Sequence, residues 1–392
     1  MSTVKHAADP GSDLSVYIHV PFCAVRCGYC DFNTYTATEL GGGGSQAEYA
    51  HNAMAEMDLT LAADRAAGYD YQQVSTVFFG GGTPTLLPAD DLVAMLEHLR
   101  TLLPLADDAE VTTEANPDSV TRASLSRLAA AGITRVSFGM QSAVPSVLAT
   151  LDRTHDPEKV PQAVAWAREA GLDVSLDLIY GTPGETIADV ETSVTSALAC
   201  GVDHMSAYSL IIEGNTAMAR QLRRGELTAP DPDDMADKYE LVDDLARADG
   251  LSWYEVSNWS RTPAQRSRHN LAYWRGTDWW GIGPGAHRHR DGLRAWNVKH
   301  PSRYARMLAA GELPVADSEQ VTAEDRLVER VMLELRIADG LDIAVIPLER
   351  RPMLAVHRDR GHLEPAALES GRAVLTRSGR LLADAVIRDL VP

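Results

Sequence analysis

The sequence predicts an α/β fold in which six parallel strands alternate with helices, followed by a smaller, helix-rich C-terminal domain. From residue 15 to about 210, short β-branched or aromatic runs alternate with Ala- and Leu-rich stretches of helical period. Strands that are separated by helices favour βα units and a parallel sheet. Polar motifs follow the strands at the end where such folds carry their sites. Periodicity leaves open whether the sheet is doubly wound or curves into a full or partial barrel.

The strands and helices of this first part follow one another in a regular order. Pro88 precedes the second helix, and Ala-Gly pairs at 131–132 and 170–171 close the third and the fourth. The helices are expected near residues 47–66, 89–102, 121–131, 157–170 and 186–199. The strands are expected at Ser15–Val20, Val74–Phe79, Glu110–Glu114, Arg135–Met140, Asp173–Ile179 and His204–Leu210.

Beyond residue 210 the pattern changes. A charged helical region at 216–249 precedes a predicted strand at Trp253–Ser257, and residues 258–300 are rich in Trp, Tyr, His and Gly. Near the end, a small hairpin is predicted from two short runs, Ala373–Thr376 and Arg380–Ala383. Helices followed by such a hairpin are compatible with a winged-helix-like module. We therefore divide the chain into an N-terminal tail (1–14), an α/β domain with an extension (15–300) and a C-terminal domain (301–392).

Composition excludes several classes of protein. The chain has 392 residues, 36 basic and 55 acidic, and its net charge of −19 argues against nucleic-acid binding, which needs clustered Lys and Arg. Four cysteines in so long a chain rule out a secreted disulfide scaffold. No run approaches the ~18 consecutive apolar residues of a membrane span, and the first residues lack the apolar core of a signal peptide. We expect a soluble, cytoplasmic protein in a reducing compartment.

Three cysteines, Cys23, Cys27 and Cys30, lie within eight residues just after the first predicted strand. Thiolates select zinc, copper or iron–sulfur clusters. A structural zinc site normally has four ligands, and only Cys200 remains, on a distant predicted helix. Three ligands around a four-iron cluster would leave one iron open to a substrate or cofactor. A zinc site that a distant histidine completes stays as the alternative.

Glycines and polar residues lie at or soon after the ends of the second to fifth predicted strands. Consecutive glycines at 80–82 allow the backbone to approach a ligand closely, or simply form a tight turn. Glu114 can accept hydrogen bonds from a ribose or an amine, or lie solvated in a loop. Arg153 suits a carboxylate through its planar fork, or is a surface cation. Asp177 suits a ribose hydroxyl, and it is unusual within an apolar strand because unpaired buried acids are costly.

The spacing Cys-x-x-x-Cys-x-x-Cys after the first strand resembles the radical S-adenosylmethionine (SAM) superfamily. The longer string from Tyr17 to Asn33 is similar to one branch, which contains the oxygen-independent coproporphyrinogen III oxidases and related heme chaperones. The resemblance extends from about residue 15 to the C-terminus. It implies a partial (β/α)6 barrel and a [4Fe–4S] cluster on Cys23, Cys27 and Cys30.

In this superfamily the open iron of the cluster binds the amino and carboxylate groups of SAM. One electron from the cluster then cleaves the sulfonium to a 5′-deoxyadenosyl radical. The aromatic residues Phe22, Tyr29 and Phe32 beside the cysteines are expected to shield the site. The resemblance implies that the cofactor is contacted by Tyr17, Tyr29, Gly81, Gly82, Thr83, Glu114, Gln141, Arg153 and Asp177.

Two differences favour the chaperone branch. Members of the oxidase branch have a fourth cysteine two positions after the third, where this chain has Phe32. They also carry an N-terminal extension of several dozen residues, whereas only about fourteen residues precede the first strand here.

The string from His269 to Trp274 resembles the His-Asn-x-x-Tyr-Trp motif of the chaperone branch, where the histidine is implicated in heme handling. Imidazole is a common axial ligand of heme iron. A core histidine in an aromatic cluster is the alternative. The resemblance thus implies a heme chaperone that holds heme, a cluster and SAM, and delivers heme to a respiratory acceptor, membrane-bound or not. The competing function is an oxidase that converts coproporphyrinogen III to protoporphyrinogen IX with two SAM molecules.

Overall fold

Six parallel strands in chain order form the centre of one large mixed sheet. The computed structural model describes residues 13–36 and 40–391. All six predicted strands and all five predicted helices of this part are confirmed, and a short helix, α4, is added. The elements are β1 (Leu14–Val20), α1 (Gln46–Ala66), β2 (Val74–Gly81), α2 (Ala89–Leu102), β3 (Leu105–Ala115), α3 (Arg122–Ala130), β4 (Arg135–Gln141), α4 (Pro145–Thr150), α5 (Val160–Glu169), β5 (Asp173–Tyr180), α6 (Ile187–Ala199) and β6 (His204–Ser209).

The order of these strands decides between a doubly wound sheet and a barrel. Strands β1 to β6 are neighbours in chain order, whereas a doubly wound sheet reverses its order at a switch point. Right-handed crossovers without a reversal place the connecting helices on one face, and α1, α2, α3 and α5 indeed pack successively against one another. The curved sheet does not close into a full barrel. Each of its two outer strands, β1 and β6, also pairs with a strand from later in the chain. The α/β fold with a partial (β/α)6 barrel is therefore confirmed.

The chain between residues 210 and 320 extends the sheet at both edges. β9 pairs with β1 in parallel and continues into antiparallel β10–β12, while β7 and β8 add a hairpin beside β6. The predicted strand Trp253–Ser257 ends at Glu255, where this hairpin turns. The elements are α7 (Ala217–Arg223), α8 (Pro232–Ala248), β7 (Ser252–Glu255), β8 (Asn258–Ser260), α9 (Arg268–Trp274), β9 (Trp279–Ile282), β10 (His287–Arg290), β11 (Leu293–Asn297), α10 (Pro301–Ala309) and β12 (Val315–Gln320).

The last seventy residues form a helix-rich unit with its own apolar cluster, which runs from Val331 to Leu390. The predicted hairpin at 373–383 is wrong. The Thr376 side chain accepts a hydrogen bond from Gly379 N and caps a helix, and β14 pairs instead with distant β13. The elements are α11 (Ala323–Glu334), β13 (Leu341–Asp342), α12 (Pro352–Asp359), α13 (Pro365–Glu369), β14 (Arg372–Ala373), α14 (Arg377–Leu381) and α15 (Ala383–Leu390).

The division into domains at residue 301 stays a prediction, as does the winged-helix-like arrangement. The main apolar core runs from Leu14 to Ile282, and β12 still belongs to the large sheet. Of the predicted tail, residues 1–12 lie outside the described residues, and Leu14 already begins β1. Across the described ranges, no helix is both long and apolar enough to cross a membrane.

Candidate functional site

A cavity of about 610 Å³ opens at the carboxyl ends of the barrel strands. The loop that follows β1 forms one wall and carries Cys23, Cys27 and Cys30, and the end of β2 contributes Gly81 and Gly82. Side chains of β3 to β6 and of the loops that follow these strands, Arg153 among them, form the rest. The cavity therefore brings together all the residues predicted to hold the cluster and SAM except Tyr17.

Backbone hydrogen bonds fix the cysteine loop, which we define as residues 23–30. Cys23 N donates to Tyr35 O (2.9 Å), and Tyr35 N donates to Pro21 O (2.7 Å). These two bonds join the chain before the loop to the chain after it. Gly28 N donates to Leu151 O (3.1 Å) and ties the middle of the loop to the end of α4. The loop is thus held at the mouth of the barrel from two sides.

The three thiols are free and half-buried. Burial raises the pKa of the Cys23 thiol to about 11 and also raises the pKa of Cys30. Arg153 Nη1 lies 3.6 Å from Cys27 Sγ and donates to it. Metal ions displace the thiol proton on binding, so burial here favours neutral thiols only in the absence of metal.

The donor set fits a four-iron cluster better than a single zinc ion. Among residues 13–36 and 40–391, no three His, Cys, Asp or Glu side chains converge where one ion could be held. Each thiolate of a four-iron cluster binds a different iron, so three soft donors along one wall suit it. Cys200 is not part of the wall, because it lies at the end of α6 and its thiol donates to Ser196 O (3.4 Å).

Two glycines let the end of β2 lie directly against the end of β1 and against Phe22, which precedes the cysteine loop. Gly82 N donates to Val20 O (2.8 Å), and Thr83 N donates to Phe22 O (2.7 Å). A Cβ on Gly82 would lie 2.5 Å from Phe22 O, and Gly81 has a φ of 105° that side chains rarely allow. Larger residues would therefore push the two walls apart.

The carboxyl groups of Glu114 on β3 and Asp177 on β5 face the cavity from either side of β4. Glu114 Oε2 accepts a hydrogen bond from Gly81 N (3.0 Å), and Asp177 Oδ2 accepts one from Ser137 Oγ (2.9 Å). Burial and the negative charge of Asp177 raise the pKa of Glu114 to about 8, and burial also raises the pKa of Asp177. At neutral pH Glu114 can consequently donate as well as accept a hydrogen bond.

Arg153 and Gln141 complete the wall opposite the glycines. Arg153 Nη2 donates to Gly139 O (2.6 Å), whereas its Nε is buried and has no partner among the described residues. Gln141 has a left-handed φ of 62°, a strained conformation that persists where surrounding structure enforces it. Gly139 lacks the Cβ that would lie 2.8 Å from Gln141 Nε2. Arg153 and Gln141 thus bring a cation and an amide to the cavity that the carboxyl groups of Glu114 and Asp177 also face.

The predicted aromatic contacts divide into three groups. Tyr29 lines the cavity, and burial raises its pKa. Phe22 is buried in the core and does not line the cavity, whereas Phe32 lines it with 58% of its surface exposed. That these aromatic residues shield the site stays a prediction. Tyr17 lies deeper, in a second cavity of about 170 Å³, and its hydroxyl is 2.9 Å from His19 Nδ1.

His269 also lies at the second cavity, and only 1% of it is exposed. Its Nδ1 is 2.8 Å from Thr76 Oγ1, and its Nε2 is 2.9 Å from the Tyr273 hydroxyl. The ring stacks on Phe78 with centroids 5.1 Å apart, and burial lowers its pKa to about 3. Both nitrogens are therefore engaged, which favours the alternative of a core histidine. Its predicted contact with heme stays a prediction that needs Tyr273 to move.

Several lining residues were missed by the sequence-based prediction. Ser137 orients Asp177, and Tyr208 borders both cavities. Strand alternation could have found them, because residues 137, 139 and 141 share one face of β4, and 206 and 208 share one face of β6. Polar residues at every second position of an otherwise apolar strand were the available signal.

Comparisons with known proteins agree with this geometry. Residues 17–197 match the profile of the Radical SAM superfamily. The chain is 50% identical to the heme chaperone HemW of Mycobacterium tuberculosis (strain ATCC 25618 / H37Rv) over 384 residues. This alignment covers 97% of this chain and 96% of the relative. It is 36% identical to the heme chaperone HemW of Escherichia coli (strain K12) over 294 residues, 74% of each chain.

A solved structure has the same fold. The coproporphyrinogen III oxidase HemN from Escherichia coli, a radical SAM enzyme, superposes with a TM-score of 0.80, covering 98% of this chain and 91% of that one. Sequence identity is 22%, so the likeness establishes the fold alone.

Fold, cavity and cysteine loop together define a radical SAM protein, a class that carries a [4Fe–4S] cluster and SAM. Within that superfamily the chain belongs to the HemW family, because half of its residues are identical to a curated member over almost the whole length.

Proposed function

We propose that this protein is a heme chaperone that carries heme together with a [4Fe–4S] cluster and SAM and delivers the heme to a respiratory acceptor. The observation that carries the proposal is the 50% identity to a heme chaperone across 97% of the chain. We further propose that it works in the cytoplasm and meets a membrane-bound acceptor only transiently.

The cluster would be held by Cys23, Cys27 and Cys30, the three thiols of the cavity wall. When bound, the cluster supplies an electron for the reductive cleavage of SAM and an open iron for its amino and carboxylate groups. The cysteine loop keeps the three donors fixed through its backbone bonds to Tyr35 and Leu151.

SAM would lie in the cavity between Arg153 and the glycine turn, which we define as residues 80–83. Gly81, Gly82 and Thr83 would contact its methionine part through their backbone. Arg153 would bind the carboxylate, since guanidinium and carboxylate are geometrically matched.

The remaining contacts come from the opposite strands. Glu114 would accept a hydrogen bond from an N–H of the SAM amine, and that hydrogen bond would favour the ionised form of this carboxyl group. Asp177 would bind a ribose hydroxyl, held in place by Ser137. Gln141 and Tyr29 would close the sides of the pocket.

The second candidate function is oxygen-independent coproporphyrinogen III oxidation, and the observation that favours it is the fold shared with HemN. Against it stands Phe32, which occupies the position of the fourth cysteine of that branch and lies exposed at the cavity mouth. Carrying heme does not require SAM to be cleaved, so SAM would be retained here as a ligand.

One anaerobic preparation distinguishes the two functions. Cluster-reconstituted protein is titrated with hemin in the presence and absence of SAM, and a second portion receives coproporphyrinogen III, SAM and a reductant. We expect saturable binding of one heme per chain and no protoporphyrinogen IX. Formation of protoporphyrinogen IX would establish the oxidase instead. Cys27→Ala, prepared in parallel, shows which signals depend on the cluster.

A further inference from the structure

The surface around the large cavity carries exposed apolar side chains. Val25, Phe32 and Ile211 line the cavity and yet keep between 46% and 71% of their surface exposed. Single apolar residues on a protein surface are ordinary, whereas several around one cavity are typical of a place where a partner binds. We define the rim as six exposed residues that line the cavity, namely Val25, Asp31, Phe32, Asp152, Ile211 and Glu213.

Backbone and core contacts hold the rim in place. The cysteine loop and the chain after β6 are joined, because Met218 N donates to Gly28 O (2.9 Å). The chain neighbours of Ile211 are anchored, since Leu210 and Ile212 pack into a small apolar cluster with Met218. Ile211 is therefore exposed although the backbone on both sides of it is fixed. A surface that is ordered before it binds loses less conformational entropy on binding.

Unpaired carboxylates accompany the apolar side chains. Asp31, Asp152 and Glu213 form no ion pair with any residue of 13–36 and 40–391. A further exposed acid of the cavity lining, Asp118, is already paired with a lysine (2.9 Å). Arg26 brings one exposed cation to the same lining. Three unpaired acids beside one cation make this surface negatively charged.

The sign of this charge distinguishes between possible occupants. A second copy of the chain, bound through the same surface about a twofold axis, would bring identical carboxylates together. An anionic lipid surface or an acidic electron carrier would be repelled by them as well. A polypeptide segment with Lys or Arg would be attracted, and apolar side chains on it would cover those of the rim.

We propose that the rim is a docking surface for a basic segment of a partner protein, in which Lys or Arg residues are combined with apolar side chains. The basic residues would pair with Asp31, Asp152 and Glu213, and the apolar ones would pack on Phe32 and Ile211. The bound segment would lie beside the cysteine loop and across the cavity. This docking goes beyond the proposed function and does not depend on heme binding.

The test uses the full chain after anaerobic cluster reconstitution and three labelled peptides of equal length. The first peptide combines Lys with Leu, the second Glu with Leu, and the third Lys with Ser. Fluorescence anisotropy measures the affinity of each at low and high salt. We expect the Lys–Leu peptide to bind ~10-fold more tightly than either of the others. Its affinity should fall as salt rises, because exposed charges are screened.

Two double variants remove parts of the rim. Asp31→Asn is combined with Phe32→Ser, and Ile211→Ser is combined with Glu213→Gln, so that each variant loses one carboxylate and one apolar side chain. Each should bind the Lys–Leu peptide ~10-fold more weakly than wild type. All four positions are exposed, so both variants should fold, which circular dichroism verifies. Iron and sulfide are measured in parallel, so that loss of the cluster is not taken for loss of docking.

The matched control removes the same kinds of group from another surface. Leu348 and Glu349 are exposed neighbours in the C-terminal helical unit and do not line the cavity. Leu348→Ser combined with Glu349→Gln should bind the Lys–Leu peptide as wild type does. The control thus separates docking at the rim from attraction to the net charge of −19.

Four results would overturn the proposal. The first is equal affinity of the rim variants and the control for the Lys–Leu peptide, and the second is its failure to bind or binding no tighter than that of the Glu–Leu peptide. Anionic lipid vesicles that bind wild type but not the rim variants would assign the surface to a membrane. Dimers in analytical ultracentrifugation that the rim variants lose would assign it to a second copy of the chain.

Discussion

The contact between the glycine turn and the segment that leads into the cysteine loop can be tested by Gly82→Ala. The added Cβ would lie 2.5 Å from Phe22 O and 2.8 Å from Val20 O. These same oxygens accept the hydrogen bonds from Thr83 N and Gly82 N. Because both obstacles are backbone atoms, neither can rotate away, and the turn must separate from the loop that carries Cys23.

The cost follows from these contacts. Two hydrogen bonds contribute ~0.5–1.5 kcal/mol each, and overpacking a tight site costs ~1–3 kcal/mol. The variant should therefore lose ~2–6 kcal/mol of the free energy of unfolding. Gly214→Ala is the matched control, because a Cβ there meets no atom within 4 Å and its φ is not in the positive region. That control should stay within ~0.5–1 kcal/mol of wild type.

Urea denaturation of the cluster-free proteins, followed by circular dichroism, measures the difference. Anaerobic reconstitution then shows whether the displaced loop still assembles a cluster, by its visible absorbance. We expect Gly82→Ala to unfold at lower urea and to take up less iron than Gly214→Ala. Equal midpoints and equal iron content in the two variants would refute the close contact between turn and loop.

Three further outcomes are expected. Cys27→Ala should reduce iron and sulfide from about four of each to near zero, whereas Cys200→Ala, outside the cavity, should keep both. Because the folded-state pKa of Glu114 is about 8, the stability this group contributes is complete at low pH and is lost as pH rises toward 8. Glu114→Gln should thus gain stability relative to wild type between pH 5 and 8.5 in urea titrations, and a constant difference would contradict the raised pKa. His269→Ala should lose ~2–4 kcal/mol, because it leaves a cavity, removes the hydrogen bond to Thr76 and leaves the Tyr273 hydroxyl unpaired. A fully stable variant that loses only heme would restore His269 as a ligand.

The barrel could be predicted because its signals are local. Runs such as Val74–Phe79 are β-branched and aromatic, and their spacing leaves room for one helix between strands. The location of the site followed from the same pattern, since parallel strands end at one edge, and Gly81, Glu114 and Gln141, which the resemblance assigned to the cofactor, lie at those ends. Tyr17 was assigned to the same site, but it lies three residues before the end of β1 and so faces the deeper cavity.

Other features depend on contacts between distant parts of the chain. β9 is four residues long and pairs with β1. The residues around Trp279 show no local pattern that predicts this strand. The false hairpin near the C-terminus had strand-like composition, and the Thr376 cap decided in favour of a helix. A histidine among aromatic residues has the same sequence whether it binds heme or fills a core, so only the partners of His269 could distinguish the two.

The central claim is that this protein holds heme and gives it to an acceptor. Its most direct test is an anaerobic transfer experiment, in which heme-loaded protein is mixed with the heme-free form of a membrane-bound respiratory heme protein in lipid vesicles. The spectrum of the acceptor is followed over time, and free hemin at the same concentration serves as the reference. We predict that the loaded protein fills the acceptor faster than free hemin does. Heme that stays on the protein, or transfer no faster than from free hemin, would contradict the account.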